Sequence, residues 1–192
     1  MLHPDVELRL IDQEIGYGLF ATRFIPRGTL TWVMCSLEQV FQPRDVVRLG
    51  PAYHAYLDKY AYANAAGDRI LCCDLGRFMN HSCDSSTLTL PGAELEVAVR
   101  DIQPGEQVTD DYGTLNLDQE LVCLCGSPHC RGIVRGDDPA RNQASWEVRV
   151  REALPFVACV AQPLAAFVHN GLNGHLAAQL GLQPEPQLTP GH

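Results

Sequence analysis

Along the first third of the chain, apolar residues fall in short runs that glycine and proline interrupt every few positions. Residues 6–11 alternate apolar and polar side chains, as a half-buried strand does. Gly16-Tyr17-Gly18 reads as a turn, and residues 19–25 read as a second strand. Pro26-Arg27-Gly28 is a tight turn before a third β-rich run over residues 29–34. The period then changes. Tyr53, Tyr56 and Tyr60 recur at helical spacing, which predicts helix within residues 43–62, with the tyrosines as packing residues. Residues 69–73 form a short apolar run. Residues 87–90 and 94–99 read as strands around a Pro91-Gly92 turn, and Val108 follows another turn over residues 101–105.

Residues 1 to about 115 are thus a mosaic of short strands, not the alternating units of a doubly wound sheet. Gly136-Asp137-Asp138-Pro139 reads as a hinge. The Ala-, Leu- and Val-rich stretch from about 140 to 180 predicts two helices broken near Pro163 or Gly171. The proline-bearing tail from Gln183 is expected to be disordered. The fold class expected is mainly β with some α, and the chain has no internal repeat.

Composition narrows the function classes. The 192 residues are 46% hydrophobic and 19% charged, the balance of one globular domain with an appendage. A net charge of −9 repels nucleic-acid phosphates and attracts basic partners, although it also serves solubility. Direct nucleic-acid binding is therefore disfavoured, and a basic peptide suits the surface. Asp5, Glu7 and Arg9 sit where a secretory signal would be apolar. No run approaches the roughly 18 apolar residues of a membrane helix. Residues 156–168 come nearest, interrupted by Gln162 and Pro163. An intracellular protein is expected, cytoplasmic if bacterial and nuclear or cytoplasmic if eukaryotic. In that setting eight cysteines point to metal ligands or free thiols more than to disulfides.

Three segments carry candidate chemistry. In Cys123-x-Cys125-x4-Cys130, three thiols within a loop bent by Gly126 and Pro128 can converge on one ion. Tetrahedral zinc needs a fourth ligand, from Cys83, His129 or another cysteine. The alternative is a group of buried or reactive thiols without metal. Arg77-Phe78-Met79-Asn80-His81-Ser82-Cys83 places an amide beside an imidazole, a pair that can bind a polar ligand or simply cap a turn. Gly105-Glu106-Gln107-Val108-Thr109-Asp110-Asp111-Tyr112-Gly113 leads a turn into a short strand ending on a tyrosine. That hydroxyl can be a satisfied core group or stand at a reaction centre.

Taken in order, these segments resemble the SET family of lysine methyltransferases over roughly residues 5–135. Residues 14–21, with Gly16-Tyr17-Gly18, look like its opening Gly-x-Gly segment. Residues 77–83 look like its Arg-Phe-x-Asn-His-Ser-Cys motif, and residues 105–113 resemble Gly-Glu-Glu-Leu-Thr-x-Asp-Tyr. Residues 123–130 look like the post-SET cysteine element. Gly16-x-Gly18 is not a dinucleotide fingerprint, because its third glycine is replaced by Ala21 and no βαβ unit follows. The resemblance implies a SET fold of several small curved sheets with a knot-like threading, plus a helical C-terminal extension. It divides the chain into a SET domain over 5–115, a post-SET zinc-binding segment over 120–135, a helical extension over 137–182 and a tail over 183–192.

The same resemblance implies the chemistry: methyl transfer from S-adenosylmethionine to a lysine amine of a basic protein such as a histone. The lysine must arrive neutral, and deprotonating an amine of pKa about 10.4 at neutral pH costs about 4–5 kcal/mol. A dry channel and a neighbouring sulfonium lower that cost, and in-line alignment supplies much of the remainder. By resemblance, Gly16, Tyr17, Gly18, Asn80 and His81 hold the cofactor. Tyr112 brings its hydroxyl to the transfer point as the catalytic residue and also borders the cofactor. Cys83 completes a zinc set with Cys123, Cys125 and Cys130.

The chain departs from the family pattern in four places. Asp84-Ser85-Ser86 replaces the usual x-Pro-Asn, and Gln107 replaces an acid. Asp110 stands where relatives often carry an aromatic that tunes methyl number, and can either hydrogen-bond the incoming ammonium or point away. Ile133 stands where relatives often place an aromatic over the cofactor, a role not assigned to the more distant Trp146. His169 and His175 read as surface or packing residues. The helices after residue 137 can pack on the core, cover the substrate groove or form a dimer contact. The competing expectations are a catalytically silent SET module that acts as a protein-binding scaffold, and a zinc-stabilised interaction domain.

Overall fold

The computed structural model describes residues 1–90 and 93–168. The Pro91-Gly92 turn, His169, His175, any second C-terminal helix, a dimer contact made by it and the tail from Gln183 lie outside the described residues.

The short apolar runs fold into four small sheets. Strands β1 (Val6–Asp12) and β2 (Gly16–Ala21) form a hairpin, then come β3 (Leu30–Val33) and β4 (Gln39–Phe41). Helices α1 (Pro43–Val46) and α2 (Pro51–Tyr60) lead into β5 (Ala61–Ala63) and β6 (Arg69–Leu71). Strands β7 (Asn80–His81), β8 (Thr87–Thr89), β9 (Leu95–Ala98) and β10 (Gln107–Asp110) precede a last pair, β11 (Leu121–Val122) and β12 (Ile133–Val134). Helix α3 (Pro139–Val157) follows. The sheets are β1-β2-β10-β7, β3-β9-β8, β4-β6-β5 and β11-β12. This is the mainly β fold of small sheets that the sequence predicts.

Several boundaries differ from the sequence pattern, each for a local reason. Gly16-Tyr17-Gly18 opens β2 instead of forming the turn. The reversal comes earlier, where the Asp12 carboxylate accepts the backbone N–H groups of Glu14 (2.8 Å) and Ile15 (2.7 Å). Gly16 then supplies the positive φ of +85° that closes the hairpin. The strand stops at Ala21 and not at Ile25, which instead makes a single bridge to Ile102. The helix expected over 43–62 is split: the first helix ends at Val46, and Gly50 caps and Pro51 opens the second. The stretch from 140 breaks at Ala158 rather than at Pro163, and Pro155 is carried in the last turn of α3.

Residues 80–86 run beside β10 and are bonded to it at both ends. β7 runs parallel to β10, with Asn80 opposite Thr109 and His81 opposite Asp110. Further along, the Ser86 backbone N–H donates to the Thr109 carbonyl (3.1 Å), and the Thr109 N–H donates to Ser86 Oγ (2.9 Å). The serines that replace Pro-Asn are therefore fixed by partners of their own. Arg149 of α3 adds a further anchor on the Ser85 carbonyl.

Helix α3 belongs to the core. Trp146, Val150, Ala153 and Val157 recur at helical spacing, are buried, and pack with Leu30, Leu88, Leu95 and Val97 from the β3-β9-β8 sheet. Leu88 and Val97 have no exposed surface. Burying each such side chain contributes about 1.5–3 kcal/mol. Ala153 is also fully buried at this contact. Ala153→Leu should therefore overpack the interface and cost about 1–3 kcal/mol. The check is a lower urea midpoint with an unchanged denaturant slope; an unchanged midpoint would mean that α3 is not docked on the sheet.

Candidate active site and cysteine cluster

Strand β10 and the residues just after it carry the centre of the site. Its side chains alternate between faces. Asp110 and Tyr112 line a cavity of about 870 Å³, together with Trp32, Tyr62, Glu94 and Glu96. Asp111 points elsewhere, into the protein, with no exposed surface.

Asp111 gathers donors from distant parts of the chain. Its carboxylate accepts from Arg131 through both terminal nitrogens (2.8 and 2.5 Å) and from the indole N–H of Trp146 (2.9 Å). It also accepts the Gly113 backbone N–H at 3.0 Å. The Arg131 guanidinium lies 6.0 Å from the Trp146 ring centroid and 3.4 Å from Asp138 at the head of α3. The Asp111 hydrogen bonds, with burial opposing, raise the Arg131 pKa, so the guanidinium stays charged. Gly113 packs tightly here, since a Cβ would lie 3.0 Å from the Trp146 ring and press it aside.

The Tyr112 hydroxyl donates to the Met79 carbonyl at 2.5 Å. Burial, and then the Asp110 charge, push its pKa upward, so it stays protonated near neutrality. The Tyr112 backbone N–H donates to His81 Nδ1 (3.1 Å). Nδ1 is therefore an acceptor, and in the neutral ring the proton sits on Nε2, 3.3 Å from Cys83 Sγ. Burial lowers the His81 pKa despite Asp111 nearby, which keeps the ring neutral.

The predicted cofactor residues meet on the other side of this segment. The Asn80 side-chain amide donates to the Tyr17 carbonyl (3.0 Å), and the Tyr17 ring meets Phe78 edge-on at 6.0 Å. A Cβ on Gly18 would fall 2.9 Å from Asn80 Nδ2 and 2.7 Å from Gln107 Nε2, so a larger residue would push the Asn80 and Gln107 side chains aside. Arg77 fixes the preceding turn by donating to the carbonyls of Asp74 (3.0 Å) and Cys73 (3.1 Å). Gly16, Tyr17, Gly18, Asn80 and His81 do not line the cavity that holds Tyr112 and Asp110. Tyr112 thus borders both regions.

Cys83 Sγ lies 3.7 Å from Cys123 Sγ and accepts the Arg131 backbone N–H at 3.3 Å. The ligand atoms of His81, Cys83, Cys123 and Cys125 all lie within 4.8 Å of one another. Cys130 adjoins Cys123 and Cys125, with its Sγ 3.8 Å from the Cys123 carbonyl, but falls outside that tightest group. The Cys125 thiol is held down to about 7: burial pushes it up, and hydrogen bonds from the Cys83 and Ser127 backbone and from neighbouring thiols outweigh this.

Glu96 and Asp110 form a second buried acidic pair. Thr87 and Thr89 hydroxyls donate to Glu96 (3.2 and 2.8 Å). Burial first, and then the neighbouring Asp110, raise Glu96 well above the usual carboxyl range. Burial pushes Asp110 up to about 7. Both carboxyls are thus raised by burial, and the two titrate together as a pair. Asp110 Oδ1 is buried with no hydrogen-bond partner.

Sequence reasoning missed Asp111, Arg131, Trp146 and Glu96. Asp111 lies inside a quoted segment beside Tyr112, and Arg131 directly follows the cysteine segment, but their pairing spans 20 residues and leaves no periodic trace. Trp146 serves as a donor to Asp111, and Ile133 pairs in β12 with β11.

With this geometry in view, the chain can be placed. The SET domain family matches residues 16–113, about half the chain, and the protein belongs to that family. A histone-lysine N-methyltransferase of rice, TRX1, is 38% identical over 149 residues, 72% of this chain and 14% of that protein. The human histone-lysine N-methyltransferase SETD2 is 26% identical over 181 residues, 88% of this chain and 7% of that protein. The chain thus spans under a fifth of the length of these curated relatives. The crystal structure of the methyltransferase domain of human SETMAR superposes with a TM-score of 0.52 at 21% identity, covering 70% of this chain and 59% of that one, and shows the shared SET fold. Among the described residues, no helix is long and apolar enough to cross a membrane.

Asp110 and Asp111, at the end of β10 and just after it, each generate a prediction. Asp111→Asn should strand the Arg131 charge and cost about 3–5 kcal/mol, read from chemical unfolding; a loss below 1 kcal/mol would show the network to be dispensable. For Asp110, the folded pKa lies above its ordinary value of 3.8, so the folded state holds the extra proton and stability falls as pH rises from about 4 to about 7. Asp110→Asn should therefore be more stable than the native protein at pH 8, with the difference vanishing near pH 4. An equal difference at both pH values would contradict the sign.

Proposed function

We propose that this protein is an S-adenosylmethionine-dependent protein-lysine N-methyltransferase acting on a basic protein or peptide, with histone tails as the first candidates. The observation that carries the reading is Tyr112. It is a buried hydroxyl on the segment that separates the Gly16–Gly18 and Asn80 wall from an acid-lined cavity. The histone-lysine methyltransferases among its relatives support the substrate class.

S-adenosylmethionine supplies an electrophilic sulfonium methyl. Gly16, Tyr17, Gly18, Asn80 and His81 are the residues that would hold it. The close approach of β2 to the Asn80 amide, with no side chain on Gly18 between them, fits a site where backbone comes close to a ligand. On the opposite side, a lysine side chain enters past Trp32 and Tyr62, and its ammonium meets the Asp110 carboxylate. The Tyr112 proton is committed to Met79, so the hydroxyl oxygen is left to accept from the amine N–H and orient its lone pair. Because burial raises the Tyr112 pKa, the tyrosine positions the amine and does not take its proton. The ammonium must lose its proton before transfer, and the Asp110 carboxylate, pushed up to about 7, is the acceptor beside it.

The donor set of the cysteine cluster fits one structural zinc ion held by Cys83, Cys123, Cys125 and Cys130. His81 then donates Nε2–H to the Cys83 thiolate as an outer partner, a common arrangement around bound thiolates and imidazoles. Such an ion would tie the segment after residue 120 to the Asn80-His81 strand.

The test is transfer of radiolabelled methyl to a panel of basic proteins, native against Tyr112→Phe. Removing one hydrogen-bonding group at a reaction centre typically costs about 100-fold or more in rate. Label on lysine that falls by that order in the variant, with unfolding unchanged, is the expected result. No transfer to any lysine by folded, zinc-loaded protein would contradict the proposal.

A further inference from the structure

Cys35, Glu38 and Cys73 form a second group of metal-ligating side chains, apart from the cluster around Cys83. Their ligand atoms lie within 4.8 Å of one another. The three converge from two parts of the chain, since Cys35 and Glu38 follow β3 while Cys73 follows β6. Glu38 is the unusual member. Its side chain has no exposed surface, and its Oε1 is buried with no hydrogen-bond partner. The other oxygen accepts the Cys35 backbone N–H (3.1 Å) and faces the Cys35 sulfur at 2.9 Å.

A buried carboxylate needs a positive charge close by. The nearby charges are the Met1 amino nitrogen, 3.5 Å from Glu38 and 3.6 Å from Asp74, and the Asp74 carboxylate. One amine thus faces two acids. Asp74 is further occupied by the backbone N–H groups of Leu2 (2.5 Å) and Gly76 (2.8 Å). Cys35 is buried whereas Cys73 is exposed, so the group opens to solvent on one side. Two thiols and one carboxylate, with one open position, match what a borderline-soft divalent cation takes in four-coordinate geometry.

We infer that Cys35, Glu38 and Cys73 bind a zinc-class divalent cation, independently of the four-cysteine cluster. Binding releases the two thiol protons to solvent; the cation offsets two of the three negative charges of the thiolates and Glu38, and the Met1 ammonium faces the remainder. The bound ion would clamp the turn after β3 to the end of β6, beside the cavity wall that Trp32 and Cys72 help form.

The experiment measures zinc content after exhaustive dialysis of the full chain. It compares the native protein, Cys35→Ser/Cys73→Ser, Glu38→Gln and Cys123→Ser/Cys125→Ser, with circular dichroism as the folding control. Two equivalents are expected in the native protein, and one in each double-serine variant. Glu38→Gln, which keeps both thiols, should weaken one site by at least about tenfold, since even outer-partner losses cost about 10–100-fold. Cobalt substitution should give thiolate charge-transfer bands that persist in Cys123→Ser/Cys125→Ser and lose intensity in Cys35→Ser/Cys73→Ser. The inference fails if the native protein holds one equivalent that Cys123→Ser/Cys125→Ser abolishes. It fails equally if Cys35 and Cys73 are found as a disulfide in the native protein, or if Cys35→Ser/Cys73→Ser retains both equivalents. Absence of zinc from the four-cysteine cluster alone would leave one equivalent, lost in Cys35→Ser/Cys73→Ser; the failures are thereby distinguishable.

Discussion

One fully buried carboxylate, Asp111, holds the parts of this molecule together. It sits between the cavity residues Asp110 and Tyr112, and it accepts Arg131 from the cysteine segment and Trp146 from α3. A buried charge of this kind is tolerated only when its lone pairs are filled and its counter-ion is close. Asp111 has both. Because Arg131 also gives its backbone N–H to Cys83, one residue links the carboxylate to the thiol cluster. The cost of burying Asp111 therefore enforces a particular arrangement of three separate segments. Tyr112, one residue away, inherits its position from that arrangement.

The alternation of strand β10 divides the work. Successive side chains on the strand and its extension face either the cavity or the interior. Asp110 and Tyr112 present an acid and a hydroxyl to the cavity, while Asp111 faces the anchoring network. β10 is flanked by β2, which carries Gly18, on one side and by β7, which carries Asn80 and His81, on the other, and the Asn80 amide reaches across to the Tyr17 carbonyl. Burial raises both Glu96 and Asp110 above the ordinary carboxyl range, so this wall of the cavity is acidic without being fully ionised near neutrality.

The parts legible in the sequence are those with local signatures. The short strands, the pairing of Asn80 with His81, the terminal tyrosine and the cysteine spacing all lie within a few residues of one another. The SET fold and family were readable because the motifs occur in order. What was not legible depends on contacts across many residues. The Gly16-Tyr17-Gly18 stretch reads as a turn, but the Asp12 carboxylate completes the reversal first and leaves the glycines to the strand. Nothing in the sequence pairs Asp111 with Arg131 or with Trp146, and nothing marks Glu96 as the partner of Asp110. The apolar stripe of α3 was visible as helical, whereas its packing on the β3-β9-β8 sheet was one of three options until the burial of Ala153 and Val157 was seen.

The central claim is that the wall formed by Gly16–Gly18 and Asn80 takes a sulfonium nucleoside while the acid-lined cavity takes the amine. Isothermal titration of S-adenosylmethionine into the full chain, native and Asn80→Ala, tests it most directly. The account predicts one binding site per chain in the native protein and affinity weakened by at least about tenfold in the folded variant, a loss of about 1.4 kcal/mol. Native protein that is folded and metal-loaded yet takes up no S-adenosylmethionine would contradict it.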